Sequence, residues 1–244
     1  MKIITTTMFD YRHTKLAEMS HNLIKENNIE HYEFKKFNVN DYFNTIINLN
    51  CDYIVSFDID CFIFDFTSVM DIINTLEQSD YSYAGFLDRG DTIVQNQAFN
   101  VFKVKDIKPI WTSANFKNNE KYKIHPKQNQ QTIDKQVHRY REPYYKYYLA
   151  LYYNDVKQIN LNHSLFKFNE NILINLNSLN PPKTADLNKT IDTTIIFDLN
   201  NKPFCTHTWY SRYYRVNEPN FYGTKRINTI YNNLEKLKKD GKFN

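Results

Sequence analysis

The chain has 244 residues, 41% hydrophobic and 24% charged, enough for one sizeable core, which excludes a disordered polyelectrolyte. Its net charge of +4 is modest, and Lys and Arg are dispersed except near Lys236, Lys238 and Lys239, which argues against the basic stripe of a nucleic-acid binder. No apolar run approaches a membrane span, and Met1-Lys2-Ile3-Ile4-Thr5 is too short in apolar residues for a signal peptide, so a soluble, cytoplasmic protein is expected.

Four residue types narrow the chemistry. The four glycines form neither a GxGxxG nor a Walker A loop, so any phosphate must be held by a metal or by basic side chains. Cys51, Cys61 and Cys205 are odd in number and widely spaced, which predicts reduced, buried thiols rather than a disulfide framework or zinc site. The 19 Tyr and 18 Phe supply core, and some can stack on a sugar or a base.

In chain order, residues 2–8 read as a buried strand rich in Ile and Thr. Residues 14–26 place Leu16, Met19 and Leu23 at helical spacing. A second strand follows at 31–37, then a helix capped by Asn40 that buries Phe43, Ile46 and Ile47. Residues 53–57 form an apolar strand running into Asp58-Ile59-Asp60. Thr67 or Ser68 caps a third helix carrying Val69, Ile73 and Leu76. This alternation predicts right-handed crossovers and a mainly parallel sheet with helices on both faces, an α/β fold with its ligand beyond the strand ends.

The second half is less regular. Strands are expected at 83–86 and 99–104 around the polar stretch 87–98. Residues 112–135 read as a polar loop or an acceptor-facing insertion. Glu142-Pro143 opens an aromatic helix through about residue 153. Strands are expected at 156–161 and 194–198, with irregular chain at 175–190 between them. Thr224 caps a terminal helix with Ile227, Ile230, Tyr231, Leu234 and Leu237 on one face, stopped by Gly241.

Asp58 and Asp60 carry the chemical signal. Two carboxylates flanking one apolar residue at the end of a buried strand repel each other unless something neutralises them. A hard divalent cation, Mn²⁺ or Mg²⁺, does so and keeps positions open for phosphate oxygens. The bare tripeptide equally fits a cap on the following loop; its place on the third strand favours the metal.

With this motif after a hydrophobic strand in a Rossmann-like βα series, the sequence resembles the GT-A glycosyltransferases. The resemblance implies one GT-A domain over residues 1–244, with a nucleotide-sugar-binding part at 1–105 and an acceptor-binding part with the C-terminal helix at 106–244. It implies that Asp60 ligates the metal and Asp58 serves the metal or the donor ribose. Thr5, Thr6 and Thr7 would lie near the base and ribose, with Asp10, Tyr11 and Arg12 as further candidates. Asp88 and Arg89 suit donor-sugar contact, or a turn ion pair. Asn96 precedes a strand resembling N-x-G-x-F in which the Gly is absent; it suits the sugar pocket or plain structure.

The resemblance also assigns His207, in His207-Thr208-Trp209-Tyr210-Ser211-Arg212, as a third metal ligand from a late loop. Trp209 and Arg212 would then close over the diphosphate. Glu142, or Asp134 as second choice, would be the base of an inverting transfer. The implied reaction moves a sugar from a nucleoside diphosphate sugar, UDP being common among such enzymes, to a hydroxyl acceptor on a glycan, a protein or a modified nucleic acid.

Two other readings use the same residues. A haloacid dehalogenase-like phosphatase also carries D-x-D after a strand, but wants it on the first strand with Thr or Val where Phe62 stands, and with a late acidic pair. A non-catalytic sugar- or nucleic-acid-binding module accounts for the aromatics but not for the aspartates with His207.

Overall fold

The computed structural model describes residues 1–9, 14–35, 38–87, 93–114, 116, 119–123, 126, 144–169, 172–175 and 191–208. The first strands and helices alternate as their residue patterns demand. β1 (Ile3–Phe9), α1 (Thr14–Lys25), β2 (Glu30–Lys35), α2 (Val39–Ile46) and β3 (Tyr53–Asp58) are followed by a short β4 (Cys61–Ile63) and α3 (Phe66–Gln78). Then come β5 (Tyr83–Leu87), β6 (Gln95–Lys103), α4 (Val104–Trp111) and α5 (Tyr145–Tyr153). β7 (Gln158–Asn160), β8 (His163–Asn169), β9 (Ile172–Asn175), β10 (Ile191–Phe197) and β11 (Pro203–Thr208) complete the described strands, and a 3-10 turn at Glu120–Lys123 lies between α4 and α5.

These strands form two sheets. The first has the order β2-β1-β3-β6-β5-β7. Its β1 pairs in parallel with β2 and β3, β5 pairs in parallel with β7, and β6 runs antiparallel to both β3 and β5. This is the mainly parallel sheet that the βα alternation predicts. α1 and α3 contribute to the core on one face, and α2, α4 and α5 to the core on the other. The second sheet, β4-β11-β10-β8-β9, is antiparallel throughout and was not expected. Its strands are short or joined by distant chain, so no single stretch announces it.

Local expectations shift at several places. α2 is capped by Asn38, whose side chain accepts from the Asp41 amide at 2.9 Å, rather than by Asn40. α3 is capped by Asp65, which accepts from the Thr67 amide at 3.0 Å, rather than by Thr67 or Ser68. In both cases the capping oxygen lies on the last extended residue before the first turn. Gln95, Asn96 and Gln97, expected in a polar connection, instead open β6 and are buried. Their amides make this tolerable: Gln95 Nε2 donates to Ile159 O at 3.0 Å and Gln97 Nε2 to Asp58 Oδ1 at 3.1 Å.

Part of the expected 112–135 loop is core. Phe116 and Tyr122 are buried with Trp111 against α5. Phe43 stacks on Tyr147 with ring centroids 4.6 Å apart, and Trp111 Nε1 donates to Tyr147 O at 3.0 Å. Burying one such aromatic contributes about 1.5–3 kcal/mol, so this cluster anchors α2, α4 and α5 together. The terminal helix expected after Thr224 lies outside the described residues.

Candidate metal site at the junction of the sheets

β3 is buried along its whole length up to Asp58, which is half-buried at the strand end. Ile59 and Asp60 make the turn into β4, and β4 leaves the first sheet for the second. There it pairs with β11 in a register that sets His207 opposite Cys61, Thr206 opposite Phe62 and Cys205 opposite Ile63. His207 is therefore delivered by a strand and not by a loop, as expected earlier. The gain is positional: a ladder fixes a side chain's face and height more firmly than a loop does.

One ligand atom from each of Asp58, Asp60 and His207 lies within 4.8 Å of the others. His207 Nε2 stands 3.4 Å from Asp60 Oδ1, with both residues buried at 6% and 7% exposure. Gln97 Nε2 holds Asp58 Oδ1 at 3.1 Å. Two carboxylates and an imidazole converging in a mostly dry corner are a suitable donor set for a divalent cation, and the imidazole suits Mn²⁺ better than Mg²⁺.

The ground beneath the site is rigid. Ser20 Oγ donates to Cys61 O at 2.9 Å, tying α1 to β4. Cys61 and Cys205 are fully buried with their sulfurs 3.2 Å apart, and burial, reinforced by the neighbouring sulfur, pushes the Cys61 thiol well up. Both are free, as expected. Cys51 departs from that expectation by being only half-buried.

The threonines of β1 divide by strand alternation. Thr5 and Thr6 are fully buried and their hydroxyls are used inside the protein. Thr5 Oγ1 lies 2.9 Å from His31 Nδ1, and Thr6 Oγ1 lies 2.8 Å from Tyr42 Oη, which lies 2.7 Å from Ser56 Oγ. Burial raises the Tyr42 phenol, keeping it neutral in that chain. Burial, and then the charge of His21, push the His31 imidazole down to about 4. Thr7, at 4% exposure, lies one residue before the end of the β1–β3 ladder at Met8 and Asp58.

Asn96 is buried, its Oδ1 accepting from the Ala98 amide at 2.9 Å. Asp10, Tyr11, Arg12, Asp88, Arg89, Asp134, Glu142, Trp209 and Arg212 lie outside the described residues. The residue that sequence reasoning passed over is Gln97. Its signal was the amide-rich run Gln95-Asn96-Gln97 beside an aromatic strand, which on its own is indistinguishable from a polar loop.

No protein-family model and no curated protein matches this sequence. Solved structures do match. They include the glycosyltransferase GlyE of Streptococcus pneumoniae TIGR4, at 9% identity and TM-score 0.43, covering 66% of this chain and 45% of that one. Its apo form matches at 13% identity and TM-score 0.39, covering 65% and 45%. A glycosyltransferase involved in glycosylation of the major capsid of PBCV-1 matches at 13% identity and TM-score 0.36, covering 59% and 78%. The chain thus spans less than half the length of the pneumococcal structures. Among the described residues no helix is long and apolar enough to cross a membrane.

Proposed function

We propose that this chain is a metal-dependent glycosyltransferase of GT-A type, moving a sugar from a nucleoside diphosphate sugar, with UDP favoured, to a hydroxyl acceptor. The observation that carries the reading is the convergence of Asp58, Asp60 and His207, from two sheets, on one point. A cation bound there supplies Lewis-acid charge that stabilises the departing diphosphate.

The chain's own residues have distinct tasks in this scheme. The buried Asp60 and His207 and the half-buried Asp58 would hold the cation. Gln97 fixes the Asp58 carboxylate by donating to Oδ1, and that carboxylate serves the cation or the donor ribose. Thr5 and Thr6 act by fixing β1 through internal hydrogen bonds, and the end of β1 at Thr7 borders the nucleotide. Arg12, Asp88, Arg89 and Asn96 serve the donor, while Trp209 and Arg212 close over the diphosphate. Glu142, or Asp134, takes the acceptor proton if the transfer inverts.

The test is a calorimetric panel of nucleotide sugars with Mn²⁺ or Mg²⁺. Binding that requires the cation and is lost in Asp60→Ala is expected. Nucleotide-sugar binding that ignores EDTA, or robust hydrolysis of a generic aryl phosphate, would sink the proposal in favour of a binding module or a phosphatase respectively.

A further inference from the structure

A second group of ligating side chains, formed by other residues, lies between α1 and the edge strand β2. His21 comes from α1, and His31 and Glu33 come from alternate positions of β2, which share one face of the sheet. One ligand atom from each lies within 4.8 Å of the others. His21 Nδ1 is 3.1 Å from Glu33 Oε1, and the His21 and His31 ring centroids are 4.6 Å apart. All three residues are half-buried.

The group is held in place from beneath. The His31 ring stacks on Phe57 at 5.6 Å between centroids, and its Nδ1 meets Thr5 Oγ1. Thr5 Oγ1 in turn donates to Glu30 O at 3.2 Å. In that chain the His31 Nδ1 carries the ring hydrogen, so the lone pair resides on Nε2. This is the outer hydrogen bond that orients a metal-binding histidine. Glu33 Oε2 faces Lys35 Nζ at 3.9 Å, an exposed contact that leaves Oε1 turned toward His21.

Thr7 adds a separate observation. It stands opposite Glu33 in the β1–β2 register and so shares the face of the cluster. It is only 4% exposed, and its hydroxyl finds no hydrogen-bond partner among the described residues. A buried hydroxyl left so is destabilising, and a water held by a cation at this face would satisfy it.

We propose that His21, His31 and Glu33 bind a borderline divalent transition metal, of which Zn²⁺ is the type, clamping α1 to the β2 edge. Tetrahedral zinc with ligands at about 2.0–2.1 Å places its donors about 3.3 Å apart, close to the 3.1 Å already present between His21 and Glu33. Small side-chain rotations bring in the third ligand, and the fourth position goes to water beside Thr7. Two imidazoles and one carboxylate select such a metal over Mg²⁺, whereas the junction site, with two carboxylates and one imidazole, suits the harder Mn²⁺. The two sites are thus separable by metal as well as by place.

The experiment titrates the full-length, metal-free Asp60→Ala chain with Co²⁺, which reports histidine ligation through its visible absorption. A saturable, equimolar site that an excess of Mg²⁺ does not displace is expected. Adding His21→Asn and Glu33→Gln should weaken Co²⁺ binding by at least about ten-fold, with far-UV circular dichroism checking the fold. Absence of an equimolar site, or unchanged affinity in the combined variant, overturns the proposal. A second measurement avoids the variants: Zn²⁺ added to the intact ¹⁵N-histidine-labelled chain should shift the ring nitrogens of both His21 and His31, and unshifted rings overturn it. No readout uses a nucleotide sugar, so failure here is distinct from failure of the glycosyltransferase reading.

Discussion

The first sheet lies between two helical layers and gains its order from contacts made as the chain alternates strand with helix. The second gains its order from strands that meet only after distant stretches have come together, β4 with β11 and β8 with β10. Asp58 belongs to the first, His207 to the second, and Asp60 to the turn between them. The carboxylate of β3 is therefore set by local folding, whereas the imidazole depends on register. A slip of one residue between β4 and β11 would turn His207 to the opposite face. A site split in this way exists only when both sheets are in place.

That comparison is tested most severely at the junction. Asp60→Ala and His207→Ala should each lower the proposed metal-dependent transfer by at least about 100-fold, with the fold retained as judged by circular dichroism. Loss in Asp60→Ala together with full activity in His207→Ala would show that the second sheet contributes no ligand.

The next effect lies within the first sheet. A Cβ on Gly85 would come within 2.5 Å of Gln95 Oε1, 2.6 Å of Asn100 Oδ1 and 2.9 Å of the Phe99 carbonyl. The carbonyl belongs to β6 and cannot swing aside. Gly85→Ala should cost about 2–3 kcal/mol by chemical denaturation, and it should loosen the Gln97–Asp58 contact carried by the same strand. A neutral Gly85→Ala would mean that β6 is free to shift.

A smaller effect tests the strap between the sheets. Asp65 caps α3, and it pairs with Lys202 in the β10–β11 connection. Ser68 Oγ, with one hydrogen to give, donates to Asp198 at 2.8 Å and lies 3.2 Å from Asp65 Oδ2. Asp65→Ala should cost about 1 kcal/mol and raise the metal concentration needed for half-saturation of the junction site. A stability loss with metal affinity untouched would show that the strap serves only the helix.

The smallest effect is set by pH. Burial pushes the Cys51 thiol up from 9.0 to about 11. A thiol whose folded pKa is raised is fully stabilising below the unfolded value, so the contribution is present below about pH 9 and is lost as the pH rises toward 11. Because Cys51 is only half-buried, solvent screening keeps the loss below about 1 kcal/mol. Denaturation curves for Cys51→Ser should lack this alkaline slope. An identical slope would assign it to another group.

The order of β1, α1, β2, α2, β3 and α3 was legible because the helices repeat apolar residues at helical spacing and the strands between them are short runs rich in apolar, aromatic and β-branched residues. The aspartates were legible because an apolar strand ends on them. The caps at Asn38 and Asp65 were misplaced by two or three residues, since several polar residues lie near the start of each helix and only geometry decides which side chain reaches the free amide.

The burial of Gln95 and Gln97 was hidden, because amides inside a sheet look like loop residues until their partners are known. His207 was singled out as a ligand by the family resemblance, which its chemistry and late position fit, but its strand was not foreseen. By itself, then, the sequence determined the helix-flanked parallel sheet and the two carboxylates at the end of its third strand. The tertiary structure alone decided the second sheet, the register that sets His207 beside Asp60, and the meeting of His21 with His31 and Glu33. Those depend on pairings between distant segments, whose free energy appears only after the intervening chain has been ordered.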